Sequence, residues 1–539
     1  MALLSAPPSS TPLGVVVQHQ PHTEPVLNHG RILRLSAMRY GSHSALEFEG
    51  RSTTYRELND QVNAMAHVLL ELGVGTGDRV ALIAPNGPDY VRIMFAAAKI
   101  GAVAVPTNTG LLAQELAHVF RAAAPHLVVV GDDYSDRVAE ALNAAELRGT
   151  VRVRRLLPDS AGLAANDHYI GISGFSTDEP PRCDVEDSDT AVLLFTSGSM
   201  GAPKAVAKSY ANLTWHAINR QISQPRHEGD RELFVLPLSG VGFGNFLLTD
   251  ILVGATCVLE PRFDPLRAAD LLRTGNIQVA FLAPTMLLAI EAATAGIDCP
   301  SVTVLETAYE VTHEQRLRIA RMVPNAQILY SYGCTEGSMA RAEPNVFLHD
   351  PTNVGYASGL DEYRALTPDS EIAQIEVSGP TVMRGYLQAD GTIDASQIHN
   401  GWFPTGDLGR QDEHGAIHFS GRSKDMIKTG GLNVFAAEVE SAIAGHPLVD
   451  RVAVVGVPDD YWGEAVVAVV EIAQGANPET LDADLRGHAR AALAGYKRPK
   501  TFLRVDALPI NSGGKIAKGE VKAMIETGVA KPLGTATLL

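Results

Sequence analysis

The sequence predicts an α/β protein, with a large N-terminal domain of parallel-sheet α/β subdomains followed by a small α+β C-terminal domain. Three observations predict it. From Leu46 onward, short apolar runs alternate with amphipathic stretches of helical period, the pattern of strands and crossover helices. At 539 residues the chain exceeds the roughly 250–300 that one core sustains. A turn-rich boundary at 421–425 leaves a remainder suited to one small domain.

Taken in order, residues 1–30 contain Pro, Ser and His without a sustained period and are expected as a loose arm. Residues 54–72 read as a helix, 79–83 as a strand, 90–100 as a helix and 103–105 as a strand. Further strands are expected at 127–130 and 191–195, and a helix beginning near Asn212 with Ser209 as its N-cap. Between them, 160–189 is polar and turn-rich, includes Pro180-Pro181, and reads as a link between two subdomains. Beyond the boundary come a helix at 436–443, strands at 452–457 and 465–472, and a turn at 497–500. The domains are therefore expected at 31–423 and 424–539, after the arm.

A hydrophobic content of 45% with 19% charge fits a soluble globular enzyme. The net charge of -17, with no local basic cluster, argues against nucleic acid as a partner. Cys183, Cys257, Cys299 and Cys334 lack metal or redox spacing, and their sparseness suggests a reducing, cytoplasmic compartment. Cys334 reads as a small buried residue, since nothing supplies a base for it. No apolar run approaches the roughly 20 residues of a membrane span, and the N-terminus lacks the pattern of a signal peptide. Peripheral membrane contact stays open.

The most informative segment is Thr196-Ser197-Gly198-Ser199-Met200-Gly201-Ala202-Pro203-Lys204, directly after the apolar run at 191–195. Glycines let a backbone turn its N–H groups toward an anion, while hydroxyls and a lysine add donors and charge. No Gly-Lys-Ser/Thr closes the loop, so it is not a Walker P-loop. Three further segments follow in order: Tyr332-Gly333-Cys334-Thr335-Glu336, Thr405-Gly406-Asp407 and Gly421-Arg422-Ser423-Lys424-Asp425. Near the C-terminus, Asn511-Ser512-Gly513-Gly514-Lys515-Ile516 places a lysine after a flexible turn. Singly, each has an ordinary reading: Asp407 as a turn residue, Glu336 as a helix-start charge, Lys424 and Lys515 as surface lysines.

Together and in this order, the segments resemble the adenylate-forming superfamily of acyl-CoA synthetases, peptide-synthetase adenylation domains and beetle luciferases, over roughly residues 30 to 525. The resemblance implies a two-step reaction. A carboxylate resists attack because attack adds charge to an anion; ATP converts it to an acyl adenylate, and a thiol then displaces AMP. It further implies that Thr196, Ser197, Gly198, Ser199, Gly201 and Lys204 hold the β- and γ-phosphates. Tyr332 would stack on adenine, Thr335 bond the α-phosphate, and Glu336 hold Mg²⁺, a hard cation that prefers carboxylate oxygen. Asp407 would accept from the ribose hydroxyls and Arg422 donate to ribose or phosphate. Lys515 would stabilise charge at the oxygen joining carboxylate to phosphorus. Lys424 falls at the hinge on which the small domain turns between steps. The loop Thr429-Gly430-Gly431-Leu432-Asn433 would pass the pantetheine arm of coenzyme A, with Gly431 the matching position beside Gly430. Trp462, Tyr496 and Arg498 fit the pattern that binds the nucleotide end of CoA in aryl-type ligases; Trp462 reads equally as a core residue.

The chain also departs from the family. Met200 stands where threonine is usual, which removes a hydroxyl from the phosphate loop. Tyr210 replaces a common histidine, and Ser239-Gly240 replaces an aromatic–histidine pair. Thr307-Ala308-Tyr309-Glu310 takes the place of a glycine-rich segment along adenine and the acyl chain. With Gly240, Gly242 and Gly244 removing side-chain volume, an acyl pocket is expected around Ser239, Gly240, Gly242, Gly244, Thr307, Ala308 and Tyr309, shaped for a bulky acid. The leading expectation is an acyl-CoA synthetase using ATP, Mg²⁺ and CoA on a small carboxylic acid. Two alternatives remain: a transfer-only enzyme that takes preformed acyl-AMP, motivated by Met200, and a ligase that loads an acyl-carrier protein.

Overall fold

The computed structural model describes residues 27–156, 168–196, 203–294, 297–308, 313–344, 346–350, 352–365, 372–430, 432–473, 478–510 and 515–533. Its described strands form three sheets of thirteen, eight and six strands. In the eight-stranded sheet, Thr190–Thr196, Val103–Pro106, Arg79–Ile83, Leu127–Gly131 and Arg152–Leu156 run parallel. The first four carry nearly continuous apolar runs because helices cover both faces, while Arg152–Leu156 lies at the sheet edge and is largely polar. The thirteen-stranded sheet is parallel from Ser44–Phe48 across to Gln327–Gly333 and antiparallel from Met339–Arg341 onward. The sheets are thus mixed, and the antiparallel half of the larger one carries much of the site.

The helix Tyr55–Glu71 starts where its capping chemistry dictates. Thr54 accepts from the Glu57 N–H at 3.3 Å, and the Glu57 carboxylate accepts from the Thr54 N–H at 2.8 Å. Ser209 caps the helix Tyr210–Ser223 in the same manner through Asn212. Between the phosphate loop and that helix, however, lies a strand, Lys204–Ser209, antiparallel to Thr190–Thr196. Thr196 and Lys204, which flank the loop, are therefore paired strand residues.

Two expectations need correction. Residues 27–30 do not belong to a loose arm: the Leu27 N–H donates to Asp187, Asn28 caps the helix His29–Tyr40, and His29 is buried. Residues 1–26 lie outside the described part. The segment 168–189 does not join subdomains either. It connects Arg152–Leu156 to Thr190–Thr196 within one sheet and buries Ile170, Ile172 and Val185 against it. Those three apolar side chains outweigh the polar composition around them.

Beneath the site, Arg220 on the helix Tyr210–Ser223 reaches Glu232 at 2.8 Å and Glu306 at 3.4 Å. Arg226 pairs with Glu232 at 3.1 Å and Arg341 with Glu306 at 3.1 Å, all buried. Although burial opposes its ionisation, the arginines, Arg341 foremost, hold the Glu306 carboxyl at about 2. Its Oε1 also accepts from Ser331 at 2.6 Å, fixing the strand just before Tyr332.

The six-stranded sheet contains the strands from Met426–Thr429 to Lys531–Pro532. Alternation along Gly463–Ile472 sends Val466, Ala468 and Val470 to a core with the helices Ala436–Ala444 and Pro478–Ala492. Val467 and Val469 face the other way, toward the helix Lys518–Glu526. One turn, Ser423–Asp425, carries the chain from the thirteen-stranded sheet into this one.

Candidate active site

Register builds the first cluster. Asp407 on the strand Trp402–Gln411 faces Arg422 at the end of Ile417–Arg422, and Arg422 Nε lies 3.0 Å from Asp407 Oδ1. The Tyr332 hydroxyl, at the tip of Gln327–Gly333, donates to Asp407 Oδ2 at 2.7 Å. Asp407 is 1% exposed. Burial, and then the Asp407 charge, pushes the Tyr332 phenol well above its ordinary value, so it remains a donor. Thr405 accepts from the Asp407 N–H at 3.1 Å, and Ser423 donates to the Gly406 carbonyl at 2.9 Å. The Tyr332 ring packs against Phe419 and Tyr363 at 5.8 Å, so one face of this cluster is aromatic.

A second chain of contacts starts at the loop. Thr196 and Lys204 are register partners at the mouth of the hairpin, while Ser197, Gly198, Ser199, Met200 and Gly201 lie outside the described residues. The exposed Lys204 places Nζ 4.7 Å from the centre of the Tyr386 ring. The Tyr386 hydroxyl in turn donates to Glu336 Oε1 at 2.9 Å. Lys204 and Glu336 are thereby joined through a tyrosine that no motif marked. Tyr386 was hidden because its strand, Gly385–Leu387, is three residues long and far along the chain. Among the described residues, no group of three or more His, Cys, Asp or Glu could hold a metal. A cation at Glu336 would draw its other ligands from phosphate and water, as Mg²⁺ commonly does.

Beside Thr335 and Cys334 lies a small cavity. Gly240 and Gly244 line it, with Met94, Leu213 and Phe243. Gly240 breaks the helical path of the wide-turned segment Leu238–Leu247, and a Cβ built there would meet nothing within 4 Å. The other described residues of the expected acyl pocket do not line this cavity. Thr307 is fully buried with its hydroxyl donated to the Leu282 carbonyl at 2.8 Å, and it does not line the cavity. Ser239, Gly242 and Ala308 are likewise absent from its lining, and Tyr309 lies outside the described residues. Cys334 is only partly buried as a residue, yet burial of its thiol pushes the pKa up to about 12, so it stays protonated.

The cavity instead contains Lys208 and His216, which sequence reasoning missed. Lys208 Nζ donates to the Thr381 carbonyl at 2.8 Å and lies 3.3 Å from His216 Nε2. Burial lowers the lysine to about 8; burial and then Lys208 hold His216 well below its ordinary value. A signal was present: strand alternation puts Lys204, Val206 and Lys208 on one face, so a lysine two steps past the loop points inward.

On the smaller sheet, Gly430 has φ +57 and donates its N–H to the Trp462 carbonyl at 2.8 Å. A Cβ there would stand 3.1 Å from the Trp462 ring. Trp462 is half-buried, and Lys500 Nζ lies 4.2 Å from its ring centre, a second residue no motif marked. Tyr496 is half-buried and packs on the core of this sheet. Arg498 donates to the Leu493 and Arg490 carbonyls at 2.9 and 3.2 Å, which ties its guanidinium to a helix end. Lys515 is exposed, beside the bridge between Ile510 and Ile516. Lys424 occupies the turn between sheets; Gly431 lies outside the described residues.

The AMP-binding enzyme family matches residues 33–387, and its C-terminal domain matches residues 438–515. The chain belongs to this family. Feruloyl-CoA synthase from Amycolatopsis sp. is 35% identical over 499 residues, which is 89% of this chain and 95% of that protein. Indoleacetate–CoA ligase from Aromatoleum aromaticum is 32% identical over 518 residues, covering 89% and 95%. Among solved structures, ATP-bound MatB from Rhodopseudomonas palustris superimposes with a TM-score of 0.81 at 27% identity, over 92% of this chain and 99% of that one. The acyl-CoA synthetase reading of the ordered motifs therefore stands, and with it an ATP-dependent carboxylate–CoA ligase. No described helix is long and apolar enough to cross a membrane.

Proposed function

We propose that the chain activates a carboxylic acid with ATP at the Tyr332–Asp407–Arg422 cluster and then transfers the acyl group to the thiol of CoA. The observation that carries this reading is the buried Asp407, held between Tyr332 and Arg422. A carboxylate is acceptor-only when ionised, and the resemblance gives Asp407 the ribose hydroxyls as donors. Arg422 fixes its charge and orientation. Thr335 lines the acyl cavity, where it would meet the α-phosphate. Glu336, steadied by Tyr386, would hold Mg²⁺, which neutralises phosphate charge when bound. Lys204 would meet the outer phosphates. Lys515 would be brought by rotation about Lys424 to the developing charge, and withdrawn before the thiol arrives past Gly430, Gly431 and Trp462. Lys500 joins Trp462 as a phosphate partner for CoA, whereas Arg498 serves the helix end. The chain acts in the cytoplasm, with free CoA preferred to a carrier protein.

The two named relatives at 35% and 32% identity act on aryl-bearing acids, so aryl acids head the test panel. Each acid is incubated with ATP and Mg²⁺, with and without CoA, and the products are read by mass spectrometry. Acyl-AMP should accumulate without CoA and acyl-CoA with it. Thioester formation from supplied acyl-AMP, with no acyl-AMP formed from any acid, would overturn the first step.

A further inference from the structure

The acyl cavity holds a charge that the adenylation chemistry does not use. Lys208 is 2% exposed, and among the described residues no carboxylate lies within ion-pairing distance of it. The nearby acids are otherwise engaged. Glu336 accepts from Tyr386, and Asp361 accepts from Asn219 and Ser338 at 2.7 Å and from Thr381 at 3.0 Å. The Thr381 carbonyl and His216 take two of the three N–H donors of Lys208. His216 stays neutral, so it steadies the ammonium without adding charge. Met94, Leu213 and Phe243 make the neighbouring walls apolar. An ammonium buried this way is costly unless something completes its shell.

We propose that Lys208 selects the acid: it takes an acyl group carrying an oxygen acceptor, a hydroxyl or a second carboxylate, remote from the carboxylate being activated. This rests on the ligase reading above. The matching deoxy acid would seal the cavity and strand the third donor, and such a loss discriminates far more strongly than a missing methylene.

The test is ATP–pyrophosphate exchange with two matched pairs: 4-hydroxycinnamate against cinnamate, and a linear dicarboxylic acid against the monocarboxylic acid of equal length. In the unaltered protein, kcat/KM should favour the oxygen-bearing member of one pair by roughly 100-fold or more, and the pair that responds identifies the acceptor. Lys208→Gln keeps a donor and should keep part of the preference. Lys208→Met should reduce it to a few-fold, chiefly through KM, while retaining exchange with the plain acid, which also reports folding. A ratio near one for both pairs in the unaltered protein overturns the proposal without any variant. Equal loss of both members in Lys208→Met overturns it too. Exchange with no acid of either pair is a third contrary result; thioester formation across the wider aryl panel then shows whether the ligase reading survives.

Discussion

At the proposed nucleotide side, Tyr332, Asp407 and Arg422 meet, and each charge has its partner. At the proposed acyl side, Lys208 stands in a largely apolar cavity with a neutral histidine and a carbonyl for company. The first arrangement is complete before any ligand arrives and suits a ligand that every reaction shares. The second is incomplete and suits a ligand that must be chosen. Preorganised partners cost nothing at the moment of reaction, whereas an unfilled donor penalises the wrong guest.

Substitutions can break this contrast or sharpen it. Lys515→Ala should cause the largest loss, about 10²–10³-fold in acyl-AMP formation, and the loss should be equal for every acid. Thioester formation from supplied acyl-AMP should change little, and stopped-flow measurement of the two steps separates them. Next, Tyr386→Phe removes one hydrogen bond to the Glu336 side chain, worth about 1.5–3 kcal/mol when the acceptor is charged, so exchange should fall by at least about tenfold. Its KM for ATP should respond and its acid preference should not. On the other side, Gly240→Val adds volume where nothing lies within 4 Å of the new Cβ. Bulky acids should lose about tenfold against small ones, with the KM for ATP unchanged. Gly430→Ala should have the smallest effect. A non-glycine residue at φ +57 costs about 1–3 kcal/mol locally, and the CoA step should slow by several-fold while adenylation holds. An altered adenylation rate there would show that the two steps share this loop.

Much of the fold was legible because apolar runs and caps act locally. The strand expected at 79–83 is Arg79–Ile83, and the helix expected at 54–72 is Tyr55–Glu71 with Thr54 as its cap. Within the segment expected as a link, the described residues 168–189 misled because composition records polarity, while three of them are buried and apolar. Likewise, the strand Lys204–Ser209 is short and holds two lysines, which hid its pairing with Thr190–Thr196. Within the candidate site, Asp407 and Arg422 stand in recognisable motifs, since contiguous residues build both strands. Tyr386, His216 and Lys500 come from separate elements and acquire meaning only through tertiary contact. Thr307 illustrates the converse: it sat at a familiar place in the chain, but its hydroxyl serves the sheet.

The division between a shared nucleotide side and a selective acyl side is tested most directly by titrating AMP into the unaltered protein, Asp407→Asn and Lys208→Met by calorimetry. Asp407→Asn removes the buried charge between Tyr332 and Arg422 and should weaken AMP by about 2 kcal/mol or more, upwards of roughly 30-fold. Lys208→Met should bind AMP as the unaltered protein does. Unchanged AMP affinity in Asp407→Asn, or an equal loss in Lys208→Met, would contradict the account.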